Sequence, residues 1–66
     1  MLSARNQFKG TVKEITIGHV MAEVLIEVGP IEIVSAITRG SVEKLALKPG
    51  DTVTAIIKST EVLIDK

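Results

Sequence analysis

The chain alternates apolar and polar positions with a period of two over most of its length, the spacing of strands that bury one face. From Arg5 to Ile17, Phe8, Gly10, Val12, Glu14 and Thr16 share one side, and Gln7, Lys9, Thr11, Lys13, Ile15 and Ile17 share the other. This stretch predicts one long strand, with Gly10 marking a bend or bulge where a small barrel turns a corner. Val20, Ala22, Val24, Ile26 and Val28 are wholly apolar and predict the core face of a second strand. The alternate set, Met21, Glu23, Leu25 and Glu27, is mixed, and its two apolar members suggest a subunit contact. A third strand runs through Ile31, Ile33, Ser35 and Ile37 against Glu32, Val34, Ala36 and Thr38. Thr52 to Lys58 predicts a fourth, with Val53, Ala55 and Ile57 on one side, and Glu61 to Ile64 a short fifth.

Turn residues separate these segments. Gly18-His19, Gly29-Pro30 and Lys48-Pro49-Gly50-Asp51 read as turns, and Ser59-Thr60 as an interruption. Arg39-Gly40 ends the third strand. Ser41 is then the expected N-cap of a short helix, Val42 to Leu47, with Val42, Leu45 and Ala46 at helical spacing and Glu43 in the first turn. The expectation is an all-β fold: a small, five-stranded OB-like barrel with one short helix between strands 3 and 4, forming one domain over residues 1–66.

Composition supports this reading. Val and Ile together number 17 against five Leu, and β-branched side chains suit a pleated surface. With 66 residues, no Cys and a single His, the chain has neither disulfides nor a thiolate zinc site to staple a small core. Its 45% hydrophobic content points instead to oligomerisation. Eight basic residues balance eight acidic ones, and Phe8 is the single aromatic, which disfavours nucleic acid as a partner. Met1 to Gly10 carries two basic residues without the apolar run of a secretory leader, and no apolar run approaches a membrane span. A soluble, cytoplasmic protein without a membrane partner is expected.

The chemistry lies in three groups of hydrogen-bond donors. Ser3-Ala4-Arg5-Asn6, followed by Gln7, combines a hydroxyl, a guanidinium and amides near the amino terminus. Thr38-Arg39-Gly40-Ser41 lies at the predicted helix start, and Lys58-Ser59-Thr60 ends the fourth strand. A fully ionised tetrahedral oxyanion only accepts hydrogen bonds, so it needs N–H and O–H donors and positive charge without nearby carboxylates. The three groups hold that vocabulary, and Glu43 and Glu61 fall just outside them. Each residue taken singly also has an ordinary role. Ser41 can be a plain cap, Lys58 a solvated strand-end charge, Ser59-Thr60 a bend and Arg5 half of a surface ion pair. No nucleophile–base pair or carboxylate dyad suggests catalysis.

In combination and in order, Ser-Ala-Arg-Asn-Gln-Phe-Lys-Gly at 3–10, Met-Ala-Glu-Val at 21–24, Ala-Ile-Thr at 36–38, Ser-Val-Glu-Lys-Leu at 41–45, Lys-Pro-Gly-Asp at 48–51 and Thr-Ala-Ile-Ile-Lys-Ser-Thr-Glu-Val at 54–62 resemble the molbindins, molybdate-binding proteins made of a Mop domain. The resemblance covers essentially the whole chain. It implies OB-type barrels assembled as a hexamer, a trimer of dimers, with molybdate or tungstate held at subunit interfaces. The metal would enter as the oxyanion, with no direct coordination by side chains and no further cofactor. By position, the ligand-binding set would be Ser3, the backbone of Ala4, Arg5, Lys58 and Ser59, joined by Thr38 and Ser41 of a neighbouring subunit. A second class of site near the threefold axis would involve Gly18, His19 and Val20, where protonation of His19 would tune affinity. The implied role is reversible oxyanion binding for storage and homeostasis, and the alternative is a molybdate-responsive regulatory or interaction module without storage.

Overall fold

The computed structural model describes residues 4–66. Four strands, β1 (Asn6–Ile17), β2 (Met21–Val28), β3 (Ile31–Thr38) and β4 (Thr52–Ile57), form one antiparallel sheet in the order β3-β2-β1-β4. A short helix, α1 (Arg39–Leu45), connects β3 to β4, and a 3-10 turn spans Ser59–Glu61. The all-β architecture and the place of the helix are as the residue pattern predicts.

The long strand β1 serves two neighbours. Asn6 to Thr11 pair with β4, and Thr11 to Ile17 pair with β2, so the hand-over falls at Thr11. Gly10 stands beside it because β2 passes close. A Cβ at Gly10 would lie 2.4 Å from the Glu27 carbonyl oxygen, closer than any side chain tolerates. The irregularity itself lies further on, between Val12 and Glu14, where Lys13 has no partner in the register. This bulge shifts the side-chain alternation by one residue. Val12, opposite Ile26, and Ile15, opposite Val24, both reach the core, whereas Glu14 and Thr16 do not share Val12's face as the uninterrupted pattern predicted. The adjacent polar residues Lys13 and Glu14 are what the bulge keeps in solvent, and the Lys13 ammonium bonds Glu32 across the strands at 2.9 Å.

The core is Val12, Ala22, Val24, Ile26, Val42 and Ala55, with Ile15, Val28, Ile33, Ile37, Leu47 and Val53 packed around it. Burying a valine contributes on the order of 2 kcal/mol, so this small set matters to so short a chain. Val20, expected on the core face, is exposed, because β2 begins one residue later at Met21. The Gly29-Pro30 turn closes the β2–β3 hairpin with Gly29 at a φ of 59°, a conformation that suits glycine. At Lys48–Asp51, the Gly50 N–H donates to the Val12 carbonyl and the Val12 N–H to the Asp51 carbonyl, which pins this turn onto β1.

Two further boundaries differ from expectation. The helix starts at Arg39, and its cap is Thr38, whose Oγ1 accepts the Ser41 N–H at 3.1 Å. Ser41 therefore lies inside the first turn, and Gly40 is part of the helix. The fifth strand expected at Glu61 to Ile64 does not form among the described residues. The Glu61 N–H turns back onto the Lys58 carbonyl at 2.8 Å, which carries the chain off the line of β4. Beyond it, Leu63 and Ile64 are more than nine-tenths exposed, with no adjacent strand among the described residues to complete a ladder. The sheet consequently remains open, with β3 and β4 as its edges.

Candidate functional site

Antiparallel pairing of β1 with β4 brings two of the three donor groups together. Asn6 is opposite Ile57 at the last pair of the ladder, so Arg5 and Lys58 are each one residue beyond it, on adjacent strands. Both are exposed, and among the described residues neither forms an ion pair. Two cations facing each other across strands repel unless an anion lies between them. Ala4 is half-buried, and its carbonyl accepts from Gln7 Nε2 at 2.8 Å. Ser59 opens the 3-10 turn directly after Lys58. Ser3 lies outside the described residues.

The third group occupies another corner. Thr38, at the end of β3, pairs with Met21 at the start of β2, and Ile17, at the far end of β1 from Asn6, pairs with Ala22. Thr38 and Ser41 are therefore at the opposite end of β1 from Arg5 and Lys58, and one chain does not join the groups. Their hydroxyls are 2.8 Å apart. One hydroxyl must donate to the other, which leaves the pair one O–H for an outside acceptor. Arg39 Nε is 4.0 Å from Glu43 Oε2, an i,i+4 pair on the helix surface.

Gly18, His19 and Val20 share that corner with the helix start. The Gly18 N–H donates to the Met21 carbonyl, and the Arg39 N–H donates to the Val20 carbonyl, both at 2.8 Å. His19 and Val20 are exposed. The two sets that the residue pattern kept apart are thus tied by the backbone at a single corner.

A cavity elsewhere in the sheet has a different character. It is a cleft of about 380 Å³ between the open edges β3 and β4, lined by Ile33, Ile37, Leu45, Val53 and Ile57 above Val24. Apart from Ser35 and Thr54 its lining side chains are apolar, and none carries a charge to compensate a desolvated anion. Among the described residues, no group of three or more His, Cys, Asp or Glu side chains could hold a metal ion, and no helix is long and apolar enough to cross a membrane.

Two residues not assigned as ligands are engaged at the cationic end. Asn6 Nδ2 donates to the Ile57 carbonyl at 3.1 Å, and Gln7 is tied to the Ala4 carbonyl. The sequence signal was present as two adjacent amides, but their targets become visible only once β1 is paired.

Comparison with known proteins gives one consistent picture. The profile of the family described as TOBE domain matches residues 2–64. Molybdenum-pterin-binding protein 1 of Clostridium pasteurianum is 48% identical over 64 residues, covering 96% of this chain and 94% of that protein. The solved structure of a molybdate-binding protein from Sporomusa ovata superposes with a TM-score of 0.96 at 47% identity, covering 100% of this chain and 98% of that one. The cytoplasmic molybdate-binding protein ModG, solved with molybdate bound, gives a TM-score of 0.91 at 45% identity and covers 96% of this chain, which spans 45% of ModG.

Proposed function

The chain belongs to the TOBE-domain family, and we propose that it binds molybdate reversibly at the contacts between its own copies, without catalysis. The observation that carries this reading is the β1–β4 register. It sets Arg5 next to Lys58 without a carboxylate partner among the described residues, while the paired Thr38–Ser41 hydroxyls lie at the other end of β1. A dianion between the cations cancels their repulsion, and a neighbouring chain supplies the hydroxyls that one chain cannot bring. The ligand set is then Ser3, the Ala4 backbone, Arg5, Lys58 and Ser59 of one copy with Thr38 and Ser41 of the next. Tungstate, with the same charge and shape, is accepted as well. The relatives' molybdate-binding descriptions support the ligand class.

Assembly follows from a deficit and a surplus. Each chain has an apolar cleft between two unpaired strand edges and, beyond its 3-10 turn, exposed Val62, Leu63 and Ile64. The terminal segment of a second copy fits the cleft by polarity, and the exchange is mutual in a twofold dimer. Three such dimers form a hexamer, in which the Gly18-His19-Val20 corners converge as a second anion site. The protein acts in the cytoplasm as a molybdate store.

Isothermal titration with molybdate tests the site. Arg5→Ala and Lys58→Ala each weaken binding about 10- to 100-fold, the scale of a lost charge-assisted hydrogen bond, with the β-sheet circular dichroism retained. Unchanged affinity in both variants contradicts the assignment.

A further inference from the structure

The side-chain amides of Asn6 and Gln7 lie within the cationic end and are not among the proposed ligands. Each donates to a backbone carbonyl: Asn6 Nδ2 to that of Ile57 at 3.1 Å and Gln7 Nε2 to that of Ala4 at 2.8 Å. These two carbonyls belong to the peptides that lead into Lys58 and Arg5, one on each side of the cation pair. A carbonyl oxygen is an acceptor, and near an oxyanion it repels. Held by a donor it cannot turn toward the anion, and the peptide plane it belongs to is fixed. The Ile57 carbonyl is the more consequential of the two, because the Asn6 bond is half-buried, joins residues 51 positions apart and closes the ladder at its last pair. The Gln7 bond is exposed and spans three residues.

We infer that Asn6 is a positioning residue for oxyanion binding. Its amide holds the 57–58 peptide so that Lys58 and Ser59 leave β4 in the direction the anion requires. Gln7 does the same for the 4–5 peptide with a smaller effect. This inference rests on the proposed oxyanion function and adds a residue that never touches the ligand. An ammonium on a flexible four-carbon stem gains most from such anchoring, because its own rotamers fix little.

The test compares the assembled wild type with Asn6→Ala, Asn6→Leu, Lys58→Ala and the Asn6→Ala/Lys58→Ala double variant. Two measurements are made on each: amide hydrogen exchange without ligand, and calorimetric titration with molybdate. Asn6→Ala is expected to speed exchange at Glu61, whose N–H donates to the Lys58 carbonyl at 2.8 Å, at least about tenfold, with β2 and β3 unchanged, and to lower affinity about five- to tenfold, the scale of one hydrogen bond. In the Lys58→Ala background the same substitution is expected to cost less than about twofold, because the charged group it positions is gone and the Ser59 hydroxyl alone remains to be positioned. Should Asn6→Ala not fold, Asn6→Leu, which keeps the branched shape, loses the donor and adds no charge, carries the same comparison alone and with Lys58→Ala. Unaltered exchange at Glu61, or an equal loss of affinity in both backgrounds, overturns the inference. A wild type that binds no molybdate overturns the oxyanion reading instead, and the exchange data alone then decide whether the amide holds this peptide.

Discussion

Asn6 and Ile57 form the terminal pair of the β1–β4 ladder, and the Asn6 amide donates to the Ile57 carbonyl at 3.1 Å. This pair sets where both strands leave the sheet, since Arg5 and Lys58 are the next residues outward. Residues more than fifty positions apart become neighbours through register alone, and the same register carries the Thr38–Ser41 pair to the far end of β1. A site that uses both ends needs two chains.

Gly10 is required by packing between strands. Gly10→Ala puts a methyl group against the Glu27 backbone oxygen and the Val28 and Ile26 side chains. Because backbone cannot rotate away as a side chain can, the expected cost is about 2–3 kcal/mol. Urea unfolding measures it, and a change below about 0.5 kcal/mol contradicts the close approach.

Thr38 is both the helix cap and a proposed ligand, and substitution separates the roles. Thr38→Ala loses the bond to the Ser41 N–H and is expected to cost about 1 kcal/mol. Thr38→Asp keeps a capping oxygen and so retains stability, but it sets a carboxylate against the oxyanion and is expected to abolish molybdate binding. Thermal melts and titration of the two variants give opposite orders.

The terminal segment is expected to hold the assembly together. Leu63→Asp with Ile64→Asp places charge on the two most exposed large apolar side chains among the described residues, which contribute nothing to the core of their own chain. The variant should therefore keep its sheet and lose mass by light scattering at micromolar concentration. An unchanged mass refutes the exchange.

Lys13 provides a pH signature. Its hydrogen bond to Glu32, aided by the charges of Glu32 and Glu27, raises its pKa above the ordinary 10.5. A group whose pKa is raised by folding contributes stability in full below its unfolded value and loses it as pH rises through its folded value. Stability attributable to Lys13 is thus constant through neutral pH and declines above about 10.5. Comparing melts of the wild type and Lys13→Met from pH 7 to 11 shows the difference closing only at the alkaline end. The effect is small, because the pair is solvated.

Most of the fold was legible because period-two alternation of β-branched residues is a strong signal, as in Val20 to Val28. It failed where one residue changes the phase. Lys13 and Glu14 are adjacent polar residues between Val12 and Ile15, and two polar neighbours inside an alternating run mark a bulge, yet Gly10 drew that assignment. The helix start was displaced because Thr38 completes a strand pattern while its hydroxyl already serves the helix, and Arg39-Gly40 imitates a break. The expected fifth strand consists of apolar residues that have the composition of a strand but no partner among the described residues. Arg5, Lys58, Thr38 and Ser41 were legible as chemistry, since donors without carboxylates stand out. Their arrangement was not, because proximity across strands is a property of register, and the carbonyls that Asn6 and Gln7 hold are not visible in side-chain identity.

The central claim is that one site draws on two chains, and subunit mixing tests it most directly. Lys58→Ala lacks the cation and Thr38→Asp lacks the receptive hydroxyl corner, so each alone is expected to bind molybdate poorly. When the two are unfolded together, refolded at equal ratio and titrated, a mixed twofold contact pairs an intact Lys58 with an intact Thr38 at one of its two sites. About a quarter of all sites should then recover wild-type affinity. Recovery of that order supports a cage shared between chains, and a mixture that binds no better than its two parents contradicts it.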